Sequence, residues 1–157
     1  MSIIKIREKG DECLDKVCHP VTKFDRRLAL LIRDMKDTLE DSQGVGLAAP
    51  QIGILRRIFV ISDGENMTEF INPEILERRG EQTPIEGCLS LPGVWGRVRR
   101  PQYVKLRAQD VKGNWFEAEA EGLIAEAFDH ENDHLNGKLF DSIIYEYIDP
   151  GELRDDD

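Results

Sequence analysis

The feature that most restricts the fold of this chain is a pair of histidines four residues apart, His130 and His134. Side chains four apart lie one above the other only on an α-helix, so a joint role for the two imidazoles requires a helix here. Residues 122–136 favour such a helix, and Leu123 and Ala127 precede the histidines on the same face. An apolar seam that continues into the two histidines predicts their partial burial.

Two imidazoles on one helix face can bind a single metal ion. Glu131, about 100° around the helix from His130, can reach the edge of the same site as a general base. The alternative is a pair of core histidines satisfied by hydrogen bonds. A catalytic metal needs a third protein ligand, and the sequence offers Glu146 or Glu152 downstream and Cys88 upstream.

The remaining pattern predicts an α+β fold with one domain. Residues 25–41 form an amphipathic helix with Asp25 as N-cap and Gly44 beyond its end. Strands are expected over residues 57–62 and 69–75, the latter interrupted at 72–73, and over a hairpin of 102–110 and 114–121. Mainly antiparallel strands therefore surround a C-terminal metal-binding helix, with a second helix near the N-terminus. Residues 1–150 form the predicted domain, and 151–157 a short acidic tail.

Charge and composition exclude several functional classes. A net charge of −10 over 157 residues disfavours direct DNA binding. No apolar run approaches the roughly 20 residues of a membrane helix, and the N-terminus lacks the apolar core of a signal peptide. The three cysteines cannot all pair within one chain and are too few for a disulfide framework. We therefore expect a cytoplasmic protein without a membrane segment.

A loop of small residues is predicted over positions 44–51, Gly-Val-Gly-Leu-Ala-Ala-Pro-Gln. It lacks the Gly-Lys-Ser/Thr ending of a phosphate-binding loop, so a structural turn is the default interpretation. Its glycines would nevertheless allow backbone to approach a ligand closely, and Gln51 could donate to a developing oxyanion.

Together, three segments resemble the motifs of the peptide deformylase family, G-x-G-L-A-A-x-Q, E-G-C-L-S and H-E-x-D-H. They lie at residues 44–51, 86–90 and 130–134, in the family's order, and the resemblance covers about residues 1–147. It implies a hydrolase that removes the formyl group from the N-terminal methionine of newly made proteins and releases formate. The partners would be N-formylmethionyl nascent peptides. A transient ribosome association is also expected, although the acidic tail replaces the longer C-terminal helix that many bacterial members use for it.

The resemblance also implies the role of each site residue. One Fe²⁺ per chain, with Zn²⁺, Ni²⁺ or Co²⁺ as substitutes, would be bound by Cys88, His130 and His134. A metal-bound water would attack the formyl carbonyl, with Glu131 as general acid/base. The Gln51 amide and the Leu89 backbone N–H would stabilise the oxyanion. The substrate would be bound by Val45, Gly46, Leu123 and Ala127.

Three positions depart from the family pattern, Glu126, Asp129 and Asn132, and none of them removes a ligand. We also expect Asp133 to pair with Arg99 or Arg100 in support of the site. Two alternative functions remain at this stage. One is a different metallohydrolase, such as a peptidase, and the other is a member that has lost catalysis and binds metal or peptide.

Overall fold

The computed structural model describes residues 2–152. It has two α-helices and two antiparallel sheets in one α+β unit, as the sequence predicted. The helices are α1 (Arg26–Ser42) and α2 (Gly122–Leu135). The strands are β1 (Gly46–Ala48), β2 (Ile58–Ser62), β3 (Met67–Arg79), β4 (Ile85–Cys88), β5 (Leu91–Arg97), β6 (Tyr103–Gln109), β7 (Trp115–Glu121) and β8 (Glu146–Tyr147). Of the predicted tail, residues 153–157 lie outside the described part.

Helix α1 forms as its sequence pattern predicts. The Asp25 carboxylate accepts a hydrogen bond from the Leu28 N–H at 3.1 Å and so caps the helix. The helix ends at Ser42, because Gln43 adopts the left-handed conformation with φ 58°. Its buried face packs on the larger sheet. Within residues 2–152, neither helix is long and apolar enough to cross a membrane.

The larger sheet has five strands in the order β1-β2-β3-β6-β7, all paired antiparallel. The predicted break at residues 72–73 does not end a strand. Strand β3 runs through it for 13 residues with a register shift between Ile71 and Glu74. Asn72 lies in this shift with φ 52°, and its side chain accepts from the Val21 N–H at 2.8 Å. Tertiary hydrogen bonds therefore hold the strand together where its local sequence favours a break.

The predicted loop at residues 44–51 was wrong in part. Gly46–Ala48 forms β1, which pairs with β2 through Leu47 and Val60, and Ala49–Ile52 forms a 3₁₀ turn. The smaller sheet, β4-β5-β8, was not predicted at all. Strands β1 and β8 depend on pairing with other segments of the chain, whereas β4 and β5, although joined by a short turn, contain glycine and proline, which favour turns in a local sequence pattern.

Helix α2 follows β7 directly and packs across β1 and β2. Phe128 from the helix meets Phe59 and Phe70 of the larger sheet in an aromatic cluster, with Phe70 and Phe128 rings 5.1 Å apart. This packing fixes the rotation of α2 about its axis. It thereby turns the histidine-bearing face towards β1 and β4, where the cavity described next is found.

Candidate metal centre and active site

A cavity of about 570 Å³ lies between α2, β1 and the turn that joins β4 to β5. Nine of the ten site residues expected from the sequence line it: Val45, Gly46, Gln51, Cys88, Leu89, Leu123, Ala127, His130 and Glu131. The tenth, His134, is 1% exposed and lies behind the wall, with its Nε2 3.4 Å from the Cys88 Sγ. Three segments far apart in sequence therefore meet at one site.

Cys88, His130 and His134 form the one group of potential metal ligands found within residues 2–152. Each offers one ligand atom, and these atoms all lie within 4.8 Å of one another. The helix supplies both imidazoles, whose ring centroids are 5.0 Å apart, and the end of β4 supplies the thiol. The donor set of one sulfur and two nitrogens suits a borderline divalent transition metal.

Hydrogen bonds to Glu86 orient the first imidazole. The Glu86 Oε1 lies 2.8 Å from the His130 Nδ1. With the proton on Nδ1 donated to this carboxylate, the Nε2 lone pair is free for a metal. Burial tends to raise the pKa of Glu86, but hydrogen bonds from His130 and Arg100 lower it to about 2. The carboxylate is therefore charged at neutral pH.

Glu131 is buried beside the three ligands, and its Oε1 has no hydrogen-bond partner among the described residues. Burial, which disfavours the charged form, raises the pKa of this carboxyl to about 7. Gly46 makes room for it, because a Cβ at that position would lie 2.7 Å from the Glu131 Oε2. A carboxyl near neutral pKa in a cavity can exchange protons with a reacting group.

The Gln51 amide is held from both ends. Its Oε1 accepts from the Ala48 N–H at 2.9 Å, and its Nε2 donates to the Ser90 Oγ at 3.1 Å. The same Nε2 lies 3.7 Å from the Cys88 Sγ, which directs the amide N–H groups towards the ligand cluster. An amide fixed in this way is a preorganised donor.

Comparison with known proteins decides the family. The family model described as polypeptide deformylase matches residues 3–146. The chain belongs to the polypeptide deformylase family. Members of this family are metal-dependent enzymes that act on N-formylmethionyl peptides, so the chain is a deformylating hydrolase.

Relatives and solved structures of the family span nearly the whole chain. A peptide deformylase of Clostridium botulinum is 55% identical over 140 residues, which are 89% of this chain and 95% of the relative. One from Caldicellulosiruptor bescii is 50% identical and covers 98% of this chain and 93% of its own length. The crystal structure of the Thermotoga maritima peptide deformylase matches with a TM-score of 0.89 and 43% identity, covering 92% of this chain and 99% of that one.

The structure adds detail to two expectations about the deformylase site. Leu123, which the sequence places on the histidine face of the helix, is 59% exposed, because it lies in the first turn of α2 at the mouth of the cavity. Asp133 pairs with Arg100 at 2.8 Å, whereas Arg99 lies over the Tyr145 ring at 4.0 Å. The sequence left that choice open.

Glu86 had no predicted role, although it belongs to the same motif as Cys88. Its bonds to His130 and Arg100 span 44 and 14 residues, so no local pattern reveals them. One available signal was its position: a carboxylate two residues from a metal-binding thiol is a candidate for supporting the site. Trp95 also lines the cavity, and a Cβ on Gly87 would lie 2.4 Å from its ring.

Proposed function

We propose that this chain removes the formyl group from N-formylmethionyl nascent peptides at the cavity between α2 and β4, using one divalent ion bound by Cys88, His130 and His134. The observation that carries the proposal is the convergence of these three ligand atoms, within 4.8 Å of one another, beside a buried Glu131 oxygen that has no hydrogen-bond partner within residues 2–152. No other cluster of potential ligands occurs among residues 2–152.

The residues present fit such an ion. Glu86 leaves the Nε2 of His130 free to bind, and the Nε2 of His134 faces the Cys88 Sγ. A thiolate with two imidazoles accepts Fe²⁺, and it also accepts Zn²⁺, Ni²⁺ or Co²⁺. We propose Fe²⁺ as the native ion. When bound, the ion supplies Lewis acidity, which acidifies water and polarises a carbonyl.

Glu131 moves the proton in this proposal. Its carboxylate accepts a proton from the attacking water as the water oxygen bonds to the formyl carbon. It then delivers that proton to the amine nitrogen as the carbon–nitrogen bond breaks, which yields formate and a free N-terminal methionine. Burial raises the pKa of this carboxyl, which favours its exchange of a proton near neutral pH.

Two donors stabilise the negative charge that develops on the formyl oxygen. Gln51 presents its amide from a position fixed by Ala48 and Ser90, so little reorganisation is needed when charge appears. The Leu89 backbone N–H, in the turn immediately after Cys88, is the second donor in our proposal. Removing one such donor typically costs 10²–10³-fold in kcat.

The substrate lies along the apolar part of the cavity. We propose that Leu123, Ala127 and Val45 contact the methionine side chain, and that Gly46 lies against the substrate backbone. Glu126 also lines this wall, and burial together with the Glu86 carboxylate raises its pKa to about 8. A carboxyl that is mostly protonated at neutral pH is compatible with an uncharged side chain beside it.

The cellular setting follows from the substrate. Nascent formylated chains place the reaction in the cytoplasm, in transient contact with the translating ribosome. We assign catalysis to residues 1–150 and no catalytic part to the tail of residues 151–157. In agreement, Gly151 and Glu152 are exposed and do not line the cavity.

The test is formate release from a formyl-Met-Ala-Ser peptide by protein purified without oxygen and loaded with Fe²⁺ or Ni²⁺. We expect turnover by the native protein and a loss of at least about 10²-fold in Glu131→Gln with unchanged metal content. Glu117→Gln, an exposed carboxylate on β7, is the matched control and should behave like the native protein.

The products separate the alternatives. Cleavage of an internal peptide bond would indicate a peptidase. Peptide binding without formate release by fully metal-loaded native protein would indicate a binding role, and either result would refute the proposal.

A further inference from the structure

Arg100 is a buried cation that joins the smaller sheet to helix α2. Its Nε and Nη2 donate to the two oxygens of Glu86 at 2.8 and 2.9 Å. Its Nη1 donates to Asp133 at 2.8 Å and to Asp129 at 3.1 Å. The guanidinium therefore forms a bidentate pair with Glu86 on one side and hydrogen bonds to two aspartates on the other.

The orientation of His130 depends on this guanidinium. Glu86 Oε1 accepts from the Nδ1 of His130 at 2.8 Å, and the same oxygen accepts from the Arg100 Nη2. Any tilt of the guanidinium would shift the carboxylate and, with it, the imidazole. A group that orients a ligand in this way typically affects metal affinity 10–100-fold.

Asp129 extends this arrangement to strand β3. It directly precedes His130 on α2, its side chain is 13% exposed, and both of its oxygens are engaged. Oδ2 accepts from Arg100, and Oδ1 accepts from the Arg78 Nε of strand β3 at 2.9 Å. Asp129 and Asp133 lie one helical turn apart, so the two carboxylates flank the Nη1 group.

We propose that Asp129 is a positioning residue for His130, which it orients through Arg100 and Glu86. The proposal rests on the proposed function only in taking His130 as a metal ligand. Nη1 carries two N–H groups, one for each aspartate. Without Asp129, one buried N–H of Arg100 loses its acceptor. The guanidinium recovers a hydrogen bond only by tilting away from its bidentate contact with Glu86.

Hydrogen bonding and simple charge make different predictions for two variants. Asp129→Asn keeps an oxygen that can accept from Arg100 but loses the charge. Asp129→Ala loses both. If Asp129 positions the guanidinium, the alanine variant is impaired and the asparagine variant largely restores the native behaviour. If Asp129 acts only through its negative charge near the ion, the two variants are impaired equally.

The experiment is a titration of metal-free protein with Co²⁺, in which the visible absorption bands report both affinity and the geometry around the ion. For Asp129→Ala we expect about tenfold weaker Co²⁺ binding and altered bands. For Asp129→Asn we expect affinity within about threefold of native and native bands. Arg78→Ala, which removes only the outer partner of Asp129, is the control and should match the native protein.

Each outcome decides the proposal. Native affinity and bands in Asp129→Ala would overturn it, as would equal losses in the alanine and asparagine variants. Weaker binding with unchanged bands would also overturn it, because the geometry of His130 would then be intact. Urea unfolding of the metal-free variants shows whether they are folded, and Asp129→Leu, which also lacks an acceptor, replaces the alanine variant if that one is not. A native protein that binds no Co²⁺ would instead refute the proposed function.

Discussion

Gly46→Ala is a sharp probe of the site because the structure predicts where the added methyl group will collide. The new Cβ would lie 2.7 Å from the Oε2 of Glu131 and 2.9 Å from its Cγ. Unstrained contacts of this kind are about 3.5–4 Å, so the Glu131 carboxyl must move by about 1 Å. A misplacement of about that size can cost about 10²-fold in rate.

We therefore expect kcat/KM for formyl-Met-Ala-Ser to fall by about 10²-fold, with a loss of about 1–3 kcal/mol in the free energy of unfolding from overpacking. The matched control is Gly44→Ala, whose Cβ would lie 3.4 Å from the Leu39 Cδ1 and the Ser42 Oγ, an ordinary contact. The assay is steady-state formate release, with metal content and urea unfolding measured on the same samples. Native kcat/KM in folded, metal-loaded Gly46→Ala, or equal losses in the two variants, would refute the reasoning.

Three further predictions concern stability. The metal-free protein should lose stability as the pH rises from about 5 to about 8. Glu126 and Glu131 have folded pKa values of about 8 and about 7, both raised from 4.5, so the folded chain binds their protons more tightly than the unfolded chain does. In thermal unfolding, Glu126→Gln should reduce the fall in Tm towards the upper end of this pH range. A Tm of the native protein that stays constant over the range would contradict the prediction. Arg100→Met should cost about 3–5 kcal/mol in urea unfolding, since it removes the guanidinium that pairs with the buried Glu86 charge; a loss below about 1 kcal/mol would count against the role of this pair. Asn72→Ala should lower stability by about 2–3 kcal/mol without changing kcat, because it removes the bonds to Val21 and Gln109 at a left-handed position far from the cavity; a large loss of kcat at full folding would be unexpected.

Local sequence patterns predicted the elements whose structure is set locally. Helix α1 lies within one residue of its prediction, since Asp25 caps it and its apolar spacing repeats over about three turns. The β6–β7 hairpin follows from alternation on both sides of a short turn. Helix α2 follows from the helical spacing of Leu123, Ala127 and the histidines. In each case the signal and the structure that it specifies occupy the same short segment.

The strands missed from the sequence are those that their own residues signal weakly. Gly46–Ala48 is a strand because it pairs with β2, and Ile85–Cys88 is a strand because it pairs with β5, although the glycine and proline residues of these segments favour turns. The support of His130 by Glu86 and Arg100 was missed for another reason, because it joins segments that are separate in sequence. Glu86 and Arg100 lie in or beside the smaller sheet, and only the packing of α2 against that sheet brings their side chains to the helix.

The exposure of Leu123 shows a second limit of prediction from the sequence. Its helical spacing places it on the histidine face, but spacing does not reveal where the core ends along the helix axis. The core covers Ala127 and His134, whereas the first turn of α2 projects beyond it and leaves Leu123 at the cavity mouth. A surface-exposed leucine at this position is available to a ligand.

X-ray absorption at the iron edge of anaerobically reconstituted protein tests the central claim most directly, because it reports which atoms bind the ion. We predict one sulfur at about 2.3 Å and two imidazole nitrogens at about 2.0–2.2 Å, with the sulfur contribution absent from Cys88→Ser. An iron environment of oxygen and nitrogen alone in the native protein, or a sulfur contribution that persists in Cys88→Ser, would contradict the account.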